Sequence, residues 1–343
     1  TTPGAAIVNL TTAGRLIIDA AGAIGSAEQP IQVAGLVDLR ARSGDVDVRS
    51  TGNTTVARIE ADLGDVRMRV ESGNLRLGAA ASVRGGSVGL QVPAGSISGA
   101  ADSLIGARTT GGNGLGQLVV LSDTDIGSAT EPLRVIGPLD LRSLSGSVYA
   151  QSSGDATITR LQAVGGNVTM GSDAGKLALG TAALIEAKAV RLNAPAGSVQ
   201  AGSAAIVRGQ TLTIVARDDV GQSAQALQTD VQTLAVTSAA GSVTIAERDA
   251  LTIASNATLH AAGAVNLSTG GPLTLSRIEA DAGPLTLTVA GAIEIGPGAP
   301  AIQLASSGRV VVDARDSIGS PSGALTLAGT ADLRSRDGSL FVH

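Results

Sequence analysis

The sequence has no cysteine and no tryptophan, and only one tyrosine (Tyr149) and one phenylalanine (Phe341). Without cysteine there is no disulfide framework, so a chain working in an oxidising compartment must be stabilised by its fold alone. Aromatic rings dominate the buried area of ordinary globular cores. Their absence means a core of Val, Ile, Leu and Ala in a narrow, regular space. Only two lysines occur (Lys176, Lys188). The net charge of −5 is spread along the chain, without the basic stripe that nucleic acid requires. No apolar run reaches the ~18 residues of a membrane-spanning helix. The opening TTPGAAIVNL lacks the charged and apolar regions of a signal peptide, and reads as a mature piece or an internal excerpt.

What is present is glycine, 46 residues in 343, and hydrophobic content of 43% against 15% charge. Such a chain has enough apolar surface to fold. The recurring unit is Gly-x-apolar-x-apolar, as in Gly44-DVDV, Gly64-DVRM, Gly146-SVYA, Gly166-NVTM and Gly283-PLTL. Alternation over four or five residues is a half-buried strand, and the glycine supplies the turn.

A longer unit is superimposed on this one. Gly116 to Ala150 reads GQLVVLSDTDIGSATEPLRVIGPLDLRSLSGSVYA, and related stretches run from Gly14 to Val48, Gly209 to Ile245 and Gly308 to Val342. Their Ile/Val-Gly step falls at Ile24, Ile126, Val220 and Ile318, spacings of 102, 94 and 98. A fixed interval of this kind signals an array. The cassettes run approximately over 14–115, 116–208, 209–307 and 308–343, the last one partial.

Sandwiches and barrels also have short strands, but hairpin turn pairs are scarce, limited to Asn113-Gly114 and Asp337-Gly338. Motif glycines about 20 residues apart, as at Gly44 and Gly64, match one coil of a parallel β-helix. The expectation is therefore an all-β chain: a parallel β-helix, a β-solenoid of about 20 residues per rung, whose right hand rests on the family resemblance of Ile24 to Ala61. One cassette of about 98 residues would fill about five rungs, in a single repeat domain over 1–343. Residues 100–115 read as a loop, and Thr181 to Val190 as a strand or a small lateral bulge.

The run Ile24 to Ala61 resembles the repeat region of filamentous-haemagglutinin-like exoproteins. Ile24-Gly25-Ser26, Pro30, Asp38-Leu39-Arg40, Ser43-Gly44 and Ile59-Glu60-Ala61 carry the likeness, and Ile126-Gly127-Ser128, Pro132, Asp140-Leu141-Arg142 and Ser145-Gly146 repeat it. The resemblance implies a stalk segment of a large bacterial adhesin, outside the cell or on its surface, exported through an outer-membrane two-partner-secretion transporter. Its partners would be a host-surface or matrix polymer, or like copies end to end. An extracellular fibre or sheath subunit is the alternative. A polysaccharide lyase or hydrolase on the same fold stands third, because the chain has almost no aromatic platform for sugars and few insertions to wall a cleft. No enzymatic activity, cofactor, nucleic acid or membrane insertion is expected.

Two residue sets were weighed as sites. Asp19, Asp123, Asp125, Asp218, Asp219, Asp313 and Asp316 precede the Ile/Val-Gly steps and are the residues that would bind calcium. Asp also suits turns and strand ends, and copies five rungs apart cannot share one ion. Arg40, Arg42, Arg142, Arg334 and Arg336 recur at one cassette position, where they would face a polyanion. The competing reading is a solvated flank that keeps strands from pairing. His260 has no Ser and Asp at a spacing that identifies a triad, and Gly111 to Gly114 lacks the Lys-Ser/Thr of a phosphate loop.

Overall fold

The computed structural model describes residues 9–108, 116–255 and 257–343. Every regular element among them is a strand, and successive strands pair in parallel as a β-solenoid of about 22 residues per turn. Among the described residues the antiparallel bridges are two local ones, Gln222 with Gln225 and Ser320 with Gly323. Close contacts group the chain into two compact units, Thr1–Met170 and Gly171–His343.

Each turn in the first unit crosses three strand lines. Val46–Ala61 supplies all three of one turn. The next turn takes Val66–Val70 on the first line, while Leu75–Gly85 covers the second and third. Apolar residues stack along each line. Ile24, Val46, Val66, Val88, Leu118, Leu139 and Ile158 are successive partners on the first, and all are buried. In the second unit the same holds for Leu177, Val199, Val220, Val243, Val265, Leu285 and Val310. Rungs lie ~4.8 Å apart, so each β-branched or Leu side chain rests on the one below. A ring at such a position would meet its neighbours at every turn, which accounts for the aromatic deficit.

Glycine marks the corners because adjacent turns nearly touch there. A Cβ on Gly64 would lie 2.3 Å from the backbone of Gly44, one turn below. A second corner device was not anticipated. Ser143, Ser172, Ser238 and Ser335 each accept, through Oγ, the N–H of a glycine three residues on, at 2.9–3.1 Å. The Ser-x-x-Gly spacing is legible in the sequence as Ser143/Gly146, Ser172/Gly175, Ser238/Gly241 and Ser335/Gly338.

Two expectations change, for the loop and for the cassette length, and Thr181 to Val190 takes the strand alternative. Of the loop at 100–115, residues 109–115 lie outside the described residues, Asn113-Gly114 and the Gly111–Gly114 run with them. Ala100 to Ser103 is a tight turn, and Leu104–Ala107 is a strand, since Leu104 and Ile105 continue the line of Ser82 and Val83. Thr181 to Val190 lies inside the strand Leu177–Ala194. The cassette does not span five turns. From Ile24, four turns along the first line lead to Leu118, and Ile126 lies beyond it on the second line, between Ile97 and Val148. From Val220, the line runs through Val243, Val265 and Leu285 to Val310, and Ile318 again lies on the next line, between Ile293 and Leu340. Within each unit the second cassette is therefore four turns on and one strand line further round.

Candidate functional site

The Ile/Val-Gly step encodes a small extruded loop, here called an ear. Ile24 lies opposite Val46 and Ile31 opposite Val48. Seven residue steps on one turn face two on the next, so five residues leave the strand and rejoin it. The same offset recurs between Ile126 and Leu133, between Val220 and Leu227, and between Ile318 and Leu325. The ears close alike: the Ser26 N–H donates to the Gln29 carbonyl, and the Ser128, Gln222 and Ser320 N–H groups donate to Glu131, Gln225 and Gly323. The glycine starting each ear has a left-handed φ, +70° at Gly25, +68° at Gly127, +69° at Gly221 and +70° at Gly319.

The first ear overhangs a groove of about 560 Å³. A second groove of about 550 Å³ lies on its other side, and Asp47 and Arg67 line both. Both residues belong to the first strand line and are register partners. Asp47 is buried, and Arg67 Nε donates to its Oδ1 at 2.7 Å. Arg67 is also ion-paired with Asp45, with Asp65 3.6 Å away. Two residues along, Glu71 accepts from Arg69 Nε at 2.7 Å and pairs with Arg49 Nε at 2.9 Å, while Arg69 Nη1 donates to Gln91 Oε1 at 2.7 Å. Met68 and Val48 form part of the wall.

The electrostatics of the groove are closed. The Asp47 carboxylate, then that of Asp45, holds the Arg67 guanidinium above its ordinary pKa. Asp45 is held below the carboxylate range, first by the Asp65 N–H and also by Arg67. Arg69 does the same for Glu71. These carboxylates are tuned away from general-acid duty, which needs a raised pKa. The groove offers fixed donors and acceptors on an apolar floor, a surface suited to a hydroxylated or amide-rich chain.

The aspartates weighed for calcium fall into separate structural positions. Asp19 and Asp313 pair with Arg42 and Arg336 one turn on, each with Nε to Oδ1 at 2.9 Å. Asp125 and Asp219 cap corners, each Oδ1 accepting the N–H of the residue above, Ser147 or Ser242, at 2.7 Å. Asp45 and Asp65 do the same for Asp65 and Ser87, and Asn53 and Asn74 for Asn74 and Ser96. Asp123, Asp218 and Asp316 offer backbone carbonyls to Ser145, Ser238 and Ser335.

The arginines are engaged by neighbouring carboxylates. Arg40 pairs with Asp62 at 2.8 Å, Arg42 with Asp19, Arg142 Nε with Asp140 at 2.7 Å, and Arg336 with Asp313. Arg334 is the register partner of Asp313. Arg40 lies on the line of Asp19 and Glu60, whereas Arg142 lies on that of Leu121 and Gln162. The one-line offset between cassettes separates them. His260, which has no triad spacing in the sequence, has its Nε2 3.0 Å from Asp281 Oδ2. The pair is 21 residues apart, close to one turn, which is the signal that would have found it.

No family model, no curated protein and no solved structure matches the chain. No helix among the described residues is long and apolar enough to cross a membrane.

Two predictions follow from the ladders. Asp125→Asn keeps an acceptor for the Ser147 N–H and should change urea stability by less than ~0.5 kcal/mol, whereas Asp125→Ala should cost about 1 kcal/mol. The second concerns pH. Arginine hydrogen bonds lower the pKa of Asp19, Asp62, Glu71 and Asp313, and the Asp65 N–H that of Asp45. Their stabilisation is complete above the unfolded carboxylate values near ~4 and is lost as pH falls through the lower folded values. The melting temperature should fall below about pH 4 as these pairs are protonated, less steeply in high salt.

Proposed function

We propose that this chain is a structural and adhesive stalk segment of a secreted bacterial surface adhesin. The observation that carries the reading is the way sequence is spent. Inward positions go to stacked aliphatic columns. The ionic groups of the first groove, and most of the arginines weighed as a site, go to pairing between or along turns. This is chemistry suited to holding a coil together under load. The resemblance of Ile24 to Ala61 to filamentous-haemagglutinin-like repeats supports the same reading, and with it export through a two-partner-secretion transporter and work outside the cell. The groove under the first ear would engage a host-surface or matrix polymer by hydrogen bonding rather than by net charge. A purely self-assembling fibre subunit is the alternative.

The test has three readouts on the purified chain. Beads coated with it should be retained on immobilised matrix polysaccharide or matrix protein, and retention should persist in moderate salt. In light scattering the chain should remain at a fixed small mass; growth into filaments of fixed repeat without polymer retention would favour the fibre subunit. Release of reducing ends from acidic polysaccharides would overturn both structural readings in favour of a β-helix enzyme.

A further inference from the structure

A second polar cluster lies in the other unit, on the strand line of Val243–Glu247. Glu247 points inward from the end of that strand and is buried, stacked between Thr229 below and Thr269 above. A buried carboxylate at a core position is expensive unless its charge is answered. Part of the answer is backbone: the Arg248 N–H donates to Oε1 at 2.8 Å, and the Val231 N–H reaches Oε1 at 3.2 Å and Oε2 at 3.1 Å. The Asp249 N–H is 3.4 Å from Oε1. Burial still raises the pKa of Glu247 despite these donors.

Two further carboxylates converge on it. One oxygen each from Asp230, Glu247 and Asp249 all lie within 4.8 Å of one another. The nearby cations are displaced to one side. Arg208 Nε and Arg248 Nη1 stand 3.7 and 3.6 Å from Asp230 Oδ2, too far for hydrogen bonds, and neither forms an ion pair with Glu247 or Asp249. Thr229 provides a second observation. It is 1% exposed, its hydroxyl lies against the Glu247 carboxylate, and its Oγ1 makes no hydrogen bond of good geometry. A buried hydroxyl in that state needs an explanation. Its oxygen is a fourth hard ligand directed at the same place.

We propose that Asp230, Glu247 and Asp249, with the Thr229 hydroxyl, form a calcium-binding site at this corner of the coil. Calcium takes oxygen ligands at 2.3–2.6 Å, so oxygens on opposite sides of one ion stand about 5 Å apart, and three carboxylate oxygens that all lie within 4.8 Å of one another can share one ion. Magnesium demands a near-ideal octahedron and dehydrates reluctantly, which an irregular set of side chains such as this one does not supply. Waters complete the shell on the side of Asp249, which is exposed. Arg208 and Arg248 beside Asp230 offset part of the negative charge. The affinity is therefore expected in the ~0.1–1 mM class typical of extracellular modules. Thr229 and Asp230 come from one turn, Glu247 from the next and Asp249 from the corner that follows, so the ion would clamp neighbouring rungs.

The experiment is calorimetric titration of calcium chloride into the whole chain after chelator treatment, alongside thermal melts in calcium, magnesium and chelator. The expected result is one saturable site with millimolar or tighter affinity, a melt raised by calcium more than by magnesium, and a loss of at least about tenfold in affinity in Asp249→Asn. Asp249 is exposed, so that variant should fold. Asp125→Asn, a corner carboxylate outside the cluster, should bind as the parent does. Glu247→Gln should abolish the calcium response while melting no lower than the parent in chelator, because the variant no longer buries a charge. Three results would overturn the site: no calcium-dependent heat or melt up to about 10 mM, unchanged binding in Asp249→Asn, or a stabilised Glu247→Gln beside a calcium-indifferent parent. The last would mean that a shared proton, not an ion, answers the charge.

Discussion

Val148→Asp is expected to abolish the cooperative melt of the first unit or lower its stability by more than ~4 kcal/mol. Val148 is fully buried and bridges to Ile126 on the turn below. It faces inward on the second strand line, in a column of Thr54, Leu75, Ile97 and Ile126. The side chains stacked below it, Ile126, Ile97 and Leu75, are all aliphatic and offer the new carboxylate no donor. Its desolvation would therefore go unanswered, and the stacking of one apolar residue would be lost as well. Denaturant unfolding followed by far-ultraviolet circular dichroism measures the effect. Tyr149→Asp, one residue on and pointing to the half-exposed side, is the control and should cost less than about 1 kcal/mol. Equal effects at the two positions would contradict the inward assignment of Val148.

Gly127→Ala should also be strongly damaging, by roughly 3 kcal/mol or more. Two penalties coincide. The φ of +68° is one that L side chains adopt only at a cost of about 1 kcal/mol or more. A Cβ there would also stand 2.3 Å from the Tyr149 carbonyl oxygen and 2.7 Å from the Leu133 nitrogen. Both are backbone atoms of paired strands and cannot turn aside as a side chain would. Gly154→Ala separates the local clash from a general glycine effect, since nothing lies within 4 Å of a Cβ at that position. It should be neutral or slightly stabilising through loss of unfolded-chain entropy. If both variants melt alike, the ear geometry is not what the glycine is for.

The strand lines were legible because the period-two alternation and the corner glycines are both local signals. Val46 to Val48, Val66 to Met68 and Leu285 to Leu287 could be assigned inward positions from spacing alone. The ears were visible as residues but not as geometry. Ile24-Gly25-Ser26 repeats as a string, but that it extrudes five residues depends on what lies opposite it one turn later, which no local pattern reports. The corner aspartates were misgrouped for the same reason. Asp19 and Asp125 both precede an Ile-Gly step, yet one stands five residues before it and the other stands beside it, and only the register separates an arginine partner from a backbone cap. His260 with Asp281, and Glu247 with Asp230 and Asp249, were missed because contact across rungs joins residues about one turn apart. The turn length was not fixed closely enough in the sequence to pair them.

The one-line advance of each cassette bears on how copies of this chain would meet. A motif repeated on one flank at a fixed interval makes that flank a ruler. Two such rulers laid side by side match along their whole length, and small contacts add up in register until flanks zip together. Here the second ear of each unit lies round the corner from the first, so no flank of a unit carries the same mark twice. Sliding one such unit along its like brings no succession of equivalent matches, only a single one. A chain so rich in strand, with so few charges for its size, can in this way lengthen by duplication without acquiring a sticky, periodic edge.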